Sequence, residues 1–249
     1  MEILILRLKG PLISFGAPIT DNYGFIQPYP AHSMVAGLIG NAIGLKRTQP
    51  DSLEALQQSF VYACREDKPG RKLRDYQTVD LGQPHLESTS ASNTKAWRTD
   101  GNVNFRDGSN KTDTHIRYRD YWSDGIYTLA IAEKDNAAYR LQEMATAVKR
   151  PVRPLFIGRK CCLPSRPLFE CIIQVPDASL DKALVEALRQ CTIDSDAPVK
   201  REYAAWWPAI GKLPIESSRI QATDFRDFHA DEHAGSRLIS QGPITSPNE

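Results

Sequence analysis

Six positive charges fall between residues 149 and 166 with no acidic residue before Glu170: Lys149, Arg150, Arg153, Arg159, Lys160 and Arg166. Pro151, Pro154 and Pro164 stiffen this segment, and Gly158 lets the main chain approach another group closely. Cations on a stiff loop hold a fixed pattern, and a fixed pattern meets a phosphate backbone at less entropic cost than a floppy one. Phe156, among those cations, is a flat ring suited to stacking on an unpaired base. A solvated basic loop has the same composition, so the segment by itself does not decide between the two. Further basic groups support the first reading. Lys46-Arg47 is one pair; Arg65, Lys68, Arg71, Lys72 and Arg74 form a second knot, diluted by Glu66 and Asp67 and followed by Tyr76. Lys95, Trp97, Arg98 and Arg106 come next, then Arg117, Tyr118 and Arg119. Basic and aromatic residues side by side suit single-stranded RNA better than duplex DNA, because unstacked bases offer flat faces to rings and guanidinium planes.

Catalytic chemistry has less to rest on. The histidines are His32, His85, His115, His229 and His233. A metal-independent ribonuclease needs a general base and a general acid flanking the scissile phosphate. His32 and His115 qualify by type, but nothing in the sequence brings them together, and a structural role is the simpler reading of each. His229 and His233 stand four apart and would share a helix face as metal ligands, but the glutamate of the zinc-protease pattern is missing. No phosphate-binding glycine loop, nucleophile elbow or dinucleotide fingerprint is present. The five cysteines, at 64, 161, 162, 171 and 191, form no Cys-x-x-Cys pair and read as reduced thiols. No cofactor and no metal are expected.

The elements that must position these groups follow from periodicity. Ile3 to Leu8 is a branched, apolar run ended by Gly10-Pro11 and predicts a buried central strand. Ser33 is the expected N-cap of a helix in which Gly37, Gly40 and Gly44 recur at helical spacing, leaving a bare face for a sheet or an RNA backbone. Asp51 and Glu54 form a capping-box pair for a short second helix. Strands are predicted at 60–63, 72–79, 116–122, 126–132 and 169–175. Asp135 is the expected cap of a helix carrying Leu141, Met144, Ala145 and Val148, and Leu180, Leu184 and Leu188 mark another. From about Gly82 to Thr114 the chain is Ser-, Thr-, Asn-, Asp- and Gly-rich, a polar finger bracketed by strands. After Ala230 it reads as a frayed polar tail.

The rhythm over the first 175 residues predicts an α+β fold, a ferredoxin-like (RRM-like) αβ sandwich, with the finger at about 80–115 as a long β-hairpin excursion. Residues 1–175 would form the RNA-binding domain and 176–249 a small C-terminal subdomain with its tail. The net charge of +1, with 41% hydrophobic and 24% charged residues, fits a globular protein and is silent about a partner, since RNA binding needs a local basic surface. No secretory signal precedes the first strand and no apolar run reaches bilayer length, so a cytoplasmic protein is expected, with no membrane partner.

The ordered set of motifs resembles a known family. Leu4 to Pro11 followed by Ser14-Phe15-Gly16, then Pro30-Ala31-His32-Ser33, Gly37 to Leu45, Leu73 to Val79 and Arg119 to Gly125 carry the likeness. It closes with Lys149-Arg150-Pro151, Leu155 to Lys160 and Pro167-Leu168-Phe169. In this order, over about the first 170 residues, they are similar to the CasD-type subunits of type I-E CRISPR Cascade complexes, within the repeat-associated RNA-binding superfamily.

The resemblance implies a non-catalytic subunit that holds the 5′ handle of the CRISPR RNA and caps one end of the backbone subunits. Its partners would be that RNA, the backbone subunits and the large subunit, and indirectly target DNA. A thumb-like β excursion would fold over the RNA. On this basis Arg153, Arg159 and Lys160 are the expected phosphate contacts, with Phe156 as the base platform. His32 and Ser33 would offer hydrogen bonds to an anion at a helix N-terminus. Arg74 and Tyr76 would touch RNA at the root of the finger, with Lys46, Arg47, Trp97, Arg117 and Arg119 completing the surface. The rival reading is a metal-independent endoribonuclease that processes CRISPR repeat RNA. A single-strand RNA binder outside any CRISPR complex is a third.

Overall fold

The structure is a computed structural model that describes residues 1–18, 23–80, 95–97, 103–105, 114–211 and 213–245; the side chains of 78–80, 95–97, 103–105 and 114–115 lie outside that description. The chain divides into two compact units, one of Met1–Pro18, Ile26–Leu73 and Tyr121–Glu249, the other of Ile19–Phe25 and Arg74–Asp120. It is a mixed α/β protein built on a large antiparallel sheet.

In the larger unit β1 (Glu2–Ile13) is an interior strand, flanked by β7 (Thr114–Glu133) and the edge strand β8 (Phe169–Gln174). Beyond β7 come β3 (Phe60–Lys68), β9 (Glu202–Pro208), β13 (Arg237–Thr245) and β10 (Ser218–Ala222) in that order. Strand alternation sorts the apolar run of β1 between two cores. Leu4, Leu6 and Leu8 face helices α1 (His32–Ile43) and α3 (Leu141–Lys149), packing with Ile39, Met144 and Val148. Ile3 and Ile5 face α4 (Leu180–Gln190), packing with Leu184 and Leu188. Coverage on both faces is why β1 reads as an unbroken hydrophobic run. Helix α2 (Pro50–Gln58) packs beside α1, and β11 (Arg226–Asp227) pairs with β12 (Glu232–His233).

In the smaller unit β2 (Tyr23–Gly24) pairs in parallel with β7, Tyr23 opposite Tyr118 and Gly24 opposite Arg119. Strand β4 (Arg71–Asp80) also pairs with β7, and β5 (Lys95–Trp97) pairs with β6 (Val103–Phe105).

Several local expectations are corrected. Residues 116–122 and 126–132 form one strand, because Asp124, at φ 59°, carries the chain through the Ser-Asp-Gly step while Gly10 and Leu12 keep their register on either side. Ala31, not Ser33, stands at the N-cap of α1, where the Asp224 carboxylate accepts from the His32 amide at 3.0 Å. Asp135 does not cap α3, which begins at Leu141, whose amide donates to Glu133 at 2.7 Å. No side chain caps α2; it starts at Pro50, whose missing N–H costs nothing in a first turn. The glycines of α1 serve different ends: Gly40 packs against Leu53 and Leu56 of α2, Gly44 ends the helix at φ 96°, and Gly37 is exposed. The chain does not divide at residue 175, since β9 pairs with β3 and extends the same sheet. Nor do residues 237–245 form a tail: β13 lies between β9 and β10, with Ile239 and Ile244 buried.

Candidate nucleic-acid interface

The basic segment 150–168 contains no helix or strand and is laced across the outer end of β1. Ile157 accepts from the Ser14 amide at 3.0 Å, and the Ser165 amide donates to Lys9 at 2.9 Å. A tight turn closes the strap on itself, Ile157 donating to Cys162 and Cys162 to Arg159, both at 2.8 Å. Gly158 is needed there twice over. Its φ is 97°, and an added Cβ would stand 1.9 Å from the Ser14 carbonyl oxygen. The close approach expected of this glycine is therefore to β1 and not to a phosphate.

The strap's cations have distinct fates. Lys160 and Arg150 are exposed, and neither has a carboxylate partner among the described residues. The Arg159 guanidinium lies 4.8 Å from the centre of the Tyr121 ring, which holds it to one plane, and Lys149 sits 4.1 Å over Phe169. Phe156 is half-buried. Arg166 is bound to Glu170 at 2.6 Å and Asp194 at 3.2 Å. Arg153 departs from its expected role. It donates to the carbonyls of Leu45 at 2.9 Å and Gly44 at 2.5 Å and reaches Asn41, so its charge closes the C-terminal end of α1. That bond brings Lys46, which is exposed, beside the start of the strap; Arg47 pairs with Asp231.

His32 and Ser33 are not a surface pair. His32 is buried between Phe60 and Phe225, with ring centroids at 4.6 and 4.7 Å, and its Nε2 is 2.8 Å from the Gln57 carbonyl oxygen. Burial and the nearby Arg237 push its pKa down to about 3, so it is neutral and enclosed. Asp224 occupies the anion position at the helix start, its carbonyl also accepting from the Ser33 amide at 3.0 Å, and Arg237 neutralises it. His115 has no described side chain. His229 and His233 do not share a helix: the first follows β11 and hydrogen-bonds Asp51 at 3.0 Å, the second lies in β12. Among the described residues no cluster of three or more His, Cys, Asp or Glu is placed to hold a metal. No helix among them is long and apolar enough to cross a membrane.

The second basic knot is largely spent on internal pairs. Arg65 is fully buried on Asp67, and Lys68 binds Asp124 at 2.6 Å. In the smaller unit Arg74 forms a two-pronged bond to Asp120, at 2.7 and 3.1 Å, and its guanidinium lies 5.7 Å from the Tyr23 ring and 5.9 Å from Tyr118. Tyr76 is exposed and its ring centroid is 5.5 Å from that of Tyr118. Arg117 and Arg119 are half-buried on β7. The side chain of Trp97 lies outside the described residues, as do Arg98 and Arg106. Two aromatic residues of this unit, Tyr23 and Phe25, went unnoticed in the sequence. Their period-two spacing was the available signal.

Comparisons with known proteins agree on the family. The profile of the family described as CRISPR-associated protein (Cas_Cas5) matches residues 3–238. The chain is 30% identical over 182 residues to the CRISPR system Cascade subunit CasD of Escherichia coli (strain K12), covering 70% of this chain and 72% of that protein. Among solved structures, a chain of a CRISPR RNA-guided surveillance complex superposes with a TM-score of 0.68 at 21% identity, covering 99% of this chain and 91% of the other. A second, described as a Cas protein, gives 0.61 at 20% identity, with 98% and 95% covered. These two likenesses concern the fold, while the profile and the curated relative carry the assignment. The chain belongs to the CRISPR-associated Cas5 family and is a CasD-type member of it.

Proposed function

We propose that this chain is a non-catalytic subunit of a CRISPR Cascade surveillance complex that binds and caps the 5′ handle of the CRISPR RNA and supports assembly for DNA targeting. The observation that carries the reading is the strap: a cationic segment tied by main-chain hydrogen bonds to β1, with Lys160 and Arg150 exposed and Arg159 braced on Tyr121. Those three, with Lys46 and the half-buried Phe156, are the residues assigned to the handle. Charges fixed in advance lose little entropy when a phosphate backbone arrives. The name of the curated relative, a Cascade subunit, supports the same assignment.

The fold is read as ferredoxin-like on the strand order β8-β1-β7-β3 with helices α1 and α3 on one face. The smaller unit is read as the thumb. The endoribonuclease alternative loses one of its two candidate histidines, because His32 is enclosed in the core and held neutral, while the side chain of His115 lies outside the described residues. Partners are the CRISPR RNA, the backbone subunits and the large subunit.

Co-expression with the remaining complex subunits and a guide, followed by purification and sequencing of the bound RNA, tests the proposal. Recovery of one complex in which this chain cross-links to the handle is expected. A complex that assembles equally well on guides lacking the handle would contradict it. So would a single defined cut in repeat RNA made by the purified chain in the presence of chelator.

A further inference from the structure

The geometry points to a base-stacking platform in the smaller unit, formed by Phe25, Tyr23, Tyr118 and Tyr76, that takes unpaired nucleobases of RNA. This deepens the RNA-binding reading above and rests on it. Three of the rings stand nearly parallel. Tyr118 and Tyr23 are 4.9 Å apart at 7°, and Tyr23 and Phe25 are 5.9 Å apart at 10°. Tyr76 leans on the other side of Tyr118 at 56°. Strand pairing explains the row: Tyr23 lies opposite Tyr118 in the β2–β7 register, and Phe25 follows two residues on, on the same face. Arg74, bonded to Asp120, sits against Tyr23 and Tyr118 and fixes both from the edge.

The row is also open. Tyr23 is 37% exposed, Phe25 46% and Tyr76 55%, an uncommon outlay of aromatic surface unless something flat covers it. Among the described rings Phe25 meets only Tyr23, so it stands at one end of the row, 46% exposed, and Tyr76 stands at the other. Around the rings the described charged side chains are Arg74, Asp75, Arg117, Arg119 and Asp120. The Asp120 carboxylate is 2% exposed and paired with Arg74, and Asp75, which accepts from Gln77 at 2.6 Å, alternates to the strand face opposite Tyr76. By strand alternation Arg117 and Arg119 lie on the reverse face from Tyr118, so bases would meet the rings and not these guanidiniums. Every base has a π-face, so this platform holds RNA without choosing its sequence.

The test uses the full chain, single-stranded RNA carrying one 2-aminopurine, and the same RNA with abasic sites. On binding, the wild type should quench the 2-aminopurine at one or two positions. Phe25→Ala and Tyr76→Ala should abolish quenching there and weaken binding about 5- to 150-fold each, with the salt slope unchanged. Phe25→Trp should keep both. Abasic RNA should bind weakly and be indifferent to these substitutions. Unchanged quenching in the alanine variants, or equal affinity for abasic RNA, overturns the platform. If those variants instead release a protein subunit while RNA binding persists, the row is a protein contact and the proposal fails. If the platform fails while Arg159→Ala with Lys160→Ala still lowers the salt slope, the RNA-binding reading survives. If the wild type binds neither RNA, both fall.

Discussion

Arg7 on β1 and Asp67 on β3 meet across the intervening strand β7, with both side chains sealed from solvent. Thr128 of β7 links them, receiving a bond from Arg7 at 2.9 Å and donating one to Asp67 at 2.6 Å. Asp67 reaches this position because the β3–β7 register shifts between Glu66 and Lys68, a bulge that re-aims the side chain. Arg65 takes the other carboxylate oxygen. Two guanidiniums share this carboxylate, with Glu170 a more distant partner of Arg7 at 3.8 Å, and they leave bond donors to satisfy. The end of α4 satisfies them: Arg65 donates to the carbonyls of Leu188 and Cys191, and Arg7 to that of Thr192 at 2.8 Å. The negative end of the helix macrodipole points at the pair of arginines. This network fastens α4 to the sheet.

Asp67→Asn should therefore be among the most damaging single substitutions in the larger unit. It leaves the buried Arg65 without a countercharge and Arg7 with only Glu170 at 3.8 Å, and breaking a buried pair in this way costs about 3–5 kcal/mol. Thr128→Val removes only the bridging hydroxyl and should cost about 1–3 kcal/mol. Urea unfolding at neutral pH measures both. An Asp67→Asn midpoint equal to that of the wild type would show that the network is decorative.

His32 gives the larger unit a pH dependence of a stated sign. Its folded pKa of about 3 lies below the ordinary 6.5, so over this window the unfolded chain binds the extra proton. Its contribution to stability is fully present above about pH 6.5 and is lost as the pH falls toward 3, by up to about 1.4 kcal/mol per unit. His32→Phe keeps a ring between Phe60 and Phe225 but cannot titrate. It should flatten the stability profile between about pH 6.5 and 4.5, above the range where most carboxylates protonate, while lowering stability at neutral pH through the lost bond to Gln57. Parallel profiles for the two proteins would remove His32 as the source.

How far the sequence reveals this molecule depends on where each residue's partner lies. Strand β1 and the 126–132 part of β7 were legible because burial on both faces leaves a plain apolar run, and the half-buried edge strand β8 because Cys171, Ile172 and Ile173 still stand together in it. Strand β13 was not: within Arg237–Thr245, Ile239, Ser240 and Ile244 are buried among polar neighbours, and its place in the sheet is set by pairing with β9. The starts of α1 and α3 differ from the expected ones for one reason. The groups that cap α1 and α3, Asp224 and Glu133, come from outside the helices and beat the local candidates Ser33 and Asp135. In the candidate site the strap's charge and stiffness were visible, but the use of each cation was not. Arg65 and Arg153 look like surface charges until Leu188 and Gly44, far away in the chain, supply carbonyls for them.

The strap's shape should depend on Gly158. Alanine there faces a positive φ and a methyl group driven into the Ser14 carbonyl. The dihedral alone costs about 1–3 kcal/mol, and the clash adds to it. Gly158→Ala should lower the unfolding midpoint and weaken RNA binding together. Gly37→Ala is the comparison, since a Cβ at Gly37 meets nothing within 4 Å and replaces a poor helix former with a good one. It should raise stability slightly. If Gly158→Ala is as stable as the wild type, the strap is held by something other than its approach to β1.

The strap's cations divide into two groups that salt can tell apart. Log affinity for single-stranded RNA falls with log salt by about 0.7 for each phosphate neutralised. Replacing Arg159 and Lys160 together with alanine should flatten the slope by about 1.4. Arg166→Ala should leave it unchanged, because that guanidinium is already committed to Glu170 and Asp194. Arg153→Ala should show up in stability, since its loss strips the carbonyls at the end of α1 of their donor. Titrations of the same RNA at four or five salt concentrations separate these outcomes without any need for absolute affinities. A slope that drops for Arg166→Ala but not for the Arg159 and Lys160 pair would mean that RNA breaks the strap's internal ion pairs to reach it. The pattern of fixed charge seen here would then not be the one the RNA reads.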